Sequence, residues 1–179
     1  MRRVLFLFGE LSDSDVDWLG DAGRVTTLAQ GETLISAGTL PSQLAILLDG
    51  ELAVVMPGSG LDLARLQEGE LVGELTFLDP RPPLVSVKAV TSSLVLQIPH
   101  RSIATRLARD NSFAARFYRG LGVFLASRLR ETTGRFGVAA TVNVGDQYLE
   151  ADELDDEGME RTALAARRFE FLRNKLGVL

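Results

Sequence analysis

The hydrophobic and polar positions of this chain follow three successive patterns. Behind Ser12, an N-cap residue type with acidic residues in the turn that follows, apolar positions three apart predict a short helix over Asp13–Asp21. From Val25 to Ile98, short apolar and β-branched runs alternate with Gly, Asp and Pro at close intervals, which is typical of strands and turns. Beyond Pro99, apolar residues recur every three or four positions, which predicts helices.

The β-rich stretch predicts a roll of seven or eight strands rather than alternating α/β units. Asp49-Gly50 is a strong hairpin signal because both residue types tolerate positive φ, and Gly58-Ser59-Gly60 marks another turn. Before the roll, Val4–Phe8 is an apolar run too short for the hydrophobic region of a signal peptide. We expect it to form a short strand or a packed lead-in.

The helical part predicts a short helix after His100 and a long helix over about 112–133. Gly120 and Gly122 lie inside the long helix, where glycine is unfavourable; either another backbone approaches closely there or the two glycines are simply tolerated. The apolar stripe of this helix predicts a dimer seam, formed by Phe113, Phe117, Leu121, Phe124 and Leu125. We therefore divide the chain into a domain over 1–134, which includes the long helix, and a C-terminal part over 135–179. That part comprises an arm, with strand or extended conformation left open, and an amphipathic helix from about Asp155.

Composition narrows the class of protein. The 179 residues include no Cys, which excludes disulfides, zinc–thiolate sites and cysteine nucleophiles and fits a cytoplasmic location. No apolar run is long enough to span a membrane. The formal net charge of −5 argues weakly against a nucleic-acid partner, since the basic residues are spread along the chain.

No catalytic or metal site is supported. His100 is the single histidine and lies between Pro99 and Arg101, where we expect a surface residue. The chain shows no nucleophile–histidine–acid arrangement, phosphate loop or dinucleotide fingerprint. We therefore expect no enzymatic activity.

The stretch Leu71–Ala89, LVGELTFLDPRPPLVSVKA, carries the most specific signal. It resembles the phosphate-binding cassette of the cyclic nucleotide-binding domain family, in which a Gly-Glu-Leu turn precedes a Pro-Arg and small-residue segment. QGETLISAG and LAILLDGELAVV resemble the strand pairs that precede the cassette in that family. The resemblance covers residues 8–132 and implies a mainly β fold with flanking helices: a jelly-roll-type β-roll, a long dimerisation helix and here a C-terminal helix.

The resemblance also implies roles for individual residues. Glu74 would accept the ribose 2′-hydroxyl and Ser86 would bind the phosphate. Gly73, Leu75 and Val85 would supply backbone contacts. The ligand would be cyclic AMP, cyclic GMP or a cyclic dinucleotide.

One position departs from the family pattern. Pro83 stands where the family has its phosphate-binding Arg, so a guanidinium and an N–H donor are both missing. A charge-assisted contact contributes about 1.5–3 kcal/mol, so the loss weakens binding roughly ten- to hundredfold. Arg81 could compensate, or could be a solvated loop residue. Arg128 lies where the family's long helix caps the base, and could contact ligand or simply be solvated.

Three functions compete. The first is a stand-alone regulatory sensor with a degenerate cassette, which forms a homodimer and acts through an unidentified protein partner. The second is a dimeric interaction scaffold that has lost nucleotide binding. The third and weakest is a transcription regulator: we expect no DNA binding, because the segment after the long helix is short and carries an acidic run, EADELDDE, that would repel phosphates.

Overall fold

The computed structural model describes residues 5–139 and 156–178. Six helices are found in these ranges: α1 (Leu5–Glu10), α2 (Asp13–Ala22), α3 (Glu74–Leu78), α4 (His100–Arg109), α5 (Asn111–Ala139) and α6 (Asp156–Lys175). Eight strands accompany them: β1 (Arg24–Leu28), β2 (Thr33–Ile35), β3 (Gln43–Asp49), β4 (Leu52–Val55), β5 (Asp62–Leu66), β6 (Leu71–Val72), β7 (Ser86–Ala89) and β8 (Ser93–Pro99). The predicted β-roll with a long helix and a C-terminal helix is confirmed.

The strands form two four-stranded antiparallel sheets. The first has the order β1-β8-β3-β6 and the second β2-β7-β4-β5. Strand β3 is apolar on both faces because it is covered on both sides. Leu44 and Ile46 pack toward the helices, whereas Ala45 and Leu47 pack toward the second sheet.

The predicted hairpin at Asp49-Gly50 is wrong. β3 pairs with β8 and β6, whereas β4 pairs with β5 and β7, so the turn carries the chain from one sheet to the other. Gly50 has φ +95°, and an added Cβ would lie 2.7 Å from the carbonyl oxygen of Ser92, so glycine is required. The turn at Gly58-Ser59-Gly60 does join the paired strands β4 and β5.

The apolar run before the roll is a helix rather than a strand. From Leu5 onward it forms α1, and Leu7 and Phe8 are buried, so the expected packed lead-in is helical. An added Cβ on Gly120 would lie 2.8 Å from the Leu7 Cδ1 atom, which confirms close approach there. Gly122 has open space instead.

The long helix α5 begins at Asn111 and continues to Ala139, beyond the predicted end at 133. Its side chains Phe113, Phe117, Leu121 and Phe124 are at most 3% exposed in the single chain. They contact α1, α2 and the first sheet in one hydrophobic cluster. This corrects the predicted dimer seam, because these four side chains have no surface left for a second copy; Leu125 is partly exposed.

Buried charge ties α2 to α4 and α5. The Asp15 carboxylate is fully buried and accepts hydrogen bonds from Arg106 Nη2 at 2.7 Å and Arg116 Nε at 2.7 Å. Burial raises the pKa of Asp15, but the hydrogen bonds from Arg116 and Ser12 outweigh burial and hold that pKa below its usual range. These hydrogen bonds hold α4 and the first turns of α5 against α2.

The C-terminal helix α6 packs on α1 and α2 through Ala165, Phe169 and Leu172, all buried. Its cations face acidic partners: Arg168 Nε lies 2.7 Å from Asp13. The predicted arm lies largely outside the described residues, since 140–155 are not described. No helix among the described residues is both long and apolar enough to cross a membrane.

Candidate functional site

The Gly-Glu-Leu turn sits at the junction of β6 and α3. Gly73 is the N-cap of α3 with φ +91°, and an added Cβ would lie 2.9 Å from the carbonyl oxygen of Gln43. Only glycine fits this combination of backbone conformation and space. Gly73 thereby places Glu74 in the first turn of α3, facing inward.

Glu74 is buried and paired with the long helix. Only 2% of the residue is exposed, and Arg128 Nη1 donates to Glu74 Oε1 at 2.5 Å. Arg128 Nη2 donates to the Leu71 carbonyl at 3.3 Å and to Glu70 Oε2 at 3.4 Å. The guanidinium also lies over the Phe124 ring, 4.5 Å from its centroid. Arg128 thus fastens α5 to the turn.

Burial raises the pKa of Glu74 above its usual range, and the positive charge of Arg128 opposes this effect. Two carboxylates, those of Glu70 and Glu74, share this one guanidinium. Sequence reasoning missed Glu70, whose Oε1 accepts the Gln67 backbone N–H at 3.3 Å. No local pattern marks it, because its partner lies on a distant helix.

The second half of the cassette makes its own internal contacts. Ser86 Oγ, the predicted phosphate contact, accepts the Ala37 N–H at 3.0 Å. The Pro83 carbonyl accepts the Gly38 N–H at 2.8 Å. Arg81 is 82% exposed at its side chain and lies 3.1 Å from Asp79, so it points away from Glu74. Of the predicted ligand residues, the structure brings Gly73, Glu74 and Arg128 together and leaves Arg81 apart.

The mouth of the cassette is apolar. Leu75 is 63% exposed and Leu84 is 85% exposed, while Val85 is half-buried. The prediction that His100 lies on the surface needs correction: it is half-buried and packs edge-on against Phe77 at 5.2 Å. Burial lowers the pKa of His100. Within the described ranges no group of His, Asp and Glu side chains could hold a metal ion.

The β-roll of two four-stranded sheets, with its Gly-Glu-Leu turn and the long helix that follows, is the arrangement that the resemblance of the cassette implied. Residues 25–110 match the family model described as the cyclic nucleotide-binding domain, which assigns this stretch of the chain to that family. The resemblance expected from the cassette is confirmed. A comparison with curated proteins finds no match.

Solved structures share the fold. A cyclic nucleotide-binding domain from Methylobacillus flagellatus is 20% identical, with 79% of this chain and 84% of that chain covered and a TM-score of 0.69. The N-terminal domain of a transcriptional regulator from Streptomyces coelicolor is 26% identical, with coverage of 82% and 96% and a TM-score of 0.59. The catabolite activator protein of Thermus thermophilus is 22% identical, with coverage of 97% and 86% and a TM-score of 0.63.

Proposed function

We propose that this chain is a regulatory sensor module with low affinity for cyclic nucleotides, in which Arg128 holds α5 on the cassette and the signal passes to a protein partner. The observation that carries the proposal is the buried contact between Arg128 and Glu74, 2.5 Å long. In this proposal, a ribose hydroxyl that takes the buried Glu74 carboxylate displaces this guanidinium. Ligand binding and release of α5 are therefore the same event, which couples the site to a helix that partners can contact.

Two features keep the affinity low. Displacing Arg128 costs the charge-assisted hydrogen bond it makes with Glu74, and Pro83 supplies no compensating cation for the phosphate. We expect binding in the millimolar range for cyclic AMP, cyclic GMP or cyclic di-GMP.

A titration with repair of the cassette tests the proposal. Binding of each nucleotide is measured by calorimetry for wild type, Glu74→Ala and Pro83→Arg. We expect weak binding that Glu74→Ala removes and that Pro83→Arg tightens about ten- to hundredfold. Arg81→Ala is the matched control and leaves affinity unchanged. Micromolar binding by the wild type would contradict the low-affinity cassette.

The alternative is a scaffold that has lost nucleotide binding. The engaged Glu74 favours it, since this carboxylate already has a cationic partner in the chain. It predicts that neither the wild type nor Pro83→Arg binds any of the three nucleotides, while the protein remains folded. That result would refute the sensor function and support the scaffold function.

We propose further that the protein forms a homodimer through the outer face of α5. With Phe113, Phe117 and Phe124 buried, the outer face of α5 carries apolar positions spaced three and four apart, four of them exposed and Leu125 partly exposed: Ala115, Tyr118, Gly122, Leu125 and Leu129. Tyr118 is 49% and Leu129 68% exposed. Sedimentation velocity of wild type and of Tyr118→Glu/Leu129→Glu tests this, and a monomeric wild type would refute it.

Two remaining parts of the hypothesis concern DNA and location. Four of the five cations of α6 have acidic partners, as Lys175 has in Asp17 at 2.6 Å and Asp21 at 2.7 Å, which argues against phosphate binding by this helix. We therefore keep transcription regulation as the weakest candidate. A chain without cysteine fits a cytoplasmic site of action.

A further inference from the structure

Two neighbouring depressions form one elongated groove across α2, α4 and the edge of the first sheet. One, of about 550 Å³, lies between Trp18 of α2 and the exposed side of α4. The other, of about 620 Å³, is lined by β1 and by Gln43 and Gln97. Ala22 lines both, so the two depressions adjoin at this residue. We call this surface the arginine groove.

Three exposed arginines line the arginine groove: Arg24, Arg101 and Arg109. None of their guanidinium groups has an ion pair or hydrogen bond with a described residue. Arg101 and Arg109 lie eight residues apart on α4, and hence about 12 Å apart along the helix. Arg101 and Arg109, without partners in the described ranges and spaced in this way, suit an anionic ligand whose negative charges are separated.

The acidic side chains of the neighbouring helix α2 are already engaged. Asp15 is buried under Arg106 and Arg116, and Asp17 and Asp21 pair with Lys175. Nothing among these carboxylates neutralises the arginine groove. The three arginines therefore leave a local positive charge on a chain whose formal net charge is −5.

The floor of the groove is held rigid. The Arg106 guanidinium lies 4.6 Å from the Trp18 ring centroid and 4.2 Å from that of Phe113, and it is fixed by its hydrogen bond to Asp15 at 2.7 Å. Trp18 also packs edge-on against Phe113 at 5.5 Å. Tryptophan and arginine are the residue types most enriched among the residues that contribute most to binding at protein interfaces, and here both side chains are fixed in position and partly shielded from water.

We propose that the arginine groove is the docking surface for an acidic peptide segment of a partner protein. An extended peptide fits better than a small anion, since two adjoining depressions with arginines in each are longer than one phosphate group. The hydroxyl and amide groups of Thr26 and Gln97, hydrogen-bonded to each other at 3.1 Å, offer contacts for a peptide backbone beside β1. This inference rests on the proposed partner-mediated function and names the chemistry of that partner.

The single tryptophan of the chain lies in the groove and reports on binding directly. The probe is an unlabelled peptide of about ten residues with Glu alternating with Ala, which spans roughly 33 Å when extended. We expect the Glu peptide to change Trp18 emission to saturation and its Gln counterpart to leave emission unchanged. Arg101→Glu/Arg109→Glu should weaken binding about tenfold or more, and added salt should weaken wild-type binding as well.

The matched control is Arg81→Glu/Arg130→Glu, which makes the same charge change at exposed arginines outside the groove. Equal weakening by the control would refute the site, since net charge alone would explain binding. Saturation of the same signal by inorganic phosphate would assign the groove to a small anion, and tighter binding of a DNA duplex would assign it to nucleic acid. The neutral pair Arg101→Gln/Arg109→Gln, checked by circular dichroism, must reproduce the loss.

No cyclic nucleotide is present in this experiment, and no cassette residue is altered by the groove variants. Tight nucleotide binding in the calorimetric test would overturn the low-affinity sensor without changing the peptide result. Failure of the peptide to bind would overturn the groove without changing the nucleotide result. The two outcomes are therefore separable.

Discussion

Replacing Arg128 with Met tests whether the contact between α5 and the cassette stabilises the fold. The substitution keeps most of the side-chain volume over Phe124 and removes the only cation that the described structure places on Glu70 and Glu74. Breaking a buried ion pair by removing one partner costs about 3–5 kcal/mol. The Arg128 side chain is 27% exposed, so we expect a loss near the lower end, about 3 kcal/mol.

The loss of stability caused by Arg128→Met should depend on pH. Burial holds the pKa of Glu74 above its usual range, so the folded state binds this proton more tightly than the unfolded state does. A raised carboxyl pKa gives stability that is present at low pH and lost as pH rises through the folded pKa. Without the opposing charge of Arg128 that pKa rises further. The stability gap between variant and wild type should therefore narrow as pH is lowered from about 7.5 to about 5.

Urea denaturation followed by circular dichroism, repeated across that range, measures both quantities. Arg130→Met is the control, since Arg130 is exposed on the same helix, and it should change stability by less than about 0.5 kcal/mol. Adding Glu74→Gln to Arg128→Met should recover part of the loss. A cost under about 1 kcal/mol at neutral pH, with no change in the gap, would refute the coupling between Arg128 and Glu74.

Three further predictions follow from the packing. Asp15→Asn should destabilise the protein at neutral pH but not at acid pH, which melting temperatures measured against pH will check. Because the pKa of Asp15 is lowered in the folded state, its stabilisation is present above the usual value of 3.8 and is lost as pH falls through the folded pKa. Gly120→Ala should cost about 1 kcal/mol or more against Leu7 in urea denaturation, whereas Gly122→Ala, in open space, should stabilise by about 0.5–1 kcal/mol; equal effects would contradict the packing. Phe117→Ala should cost about 3–5 kcal/mol by the same measurement, and a loss below about 1 kcal/mol would place this side chain outside the core.

Local patterns predicted the elements of this fold well and their partners poorly. The alternation of strands and turns from Val25 to Ile98 is set by residues close in sequence, and it predicted the roll. The turn residues Asp49-Gly50 specify a backbone conformation but not which sheet receives the next strand, because pairing is decided by distant segments. The short apolar run before Gly9 could not distinguish helix from strand, since a run of that length fits both periods.

The candidate site shows the same limit. The resemblance to the family's Gly-Glu-Leu turn predicted the position of Gly73 and Glu74, because the motif is contiguous in sequence; in the structure Gly73 has a positive φ. That Arg128 occupies Glu74 depends on where α5 crosses the cassette, 54 residues further along the chain. The stripe with Phe113 and Phe117 predicted a buried helix face, but periodicity alone does not say whether the same chain or a second copy covers it.

The crossing of the chain between the two sheets constrains how this protein can be synthesised and folded. β1 pairs with β8, with Arg24 opposite Gln97, and β2 pairs with β7, with Thr33 opposite Lys88. Strands β1 and β2 therefore have no pairing partners until β7 and β8 have left the ribosome. Helix α1 likewise cannot pack on α6 until the C-terminal part of the chain has been synthesised. Contacts so distant in sequence slow folding. The domain should fold late and all at once, and a chain truncated before β8 should yield no stable roll.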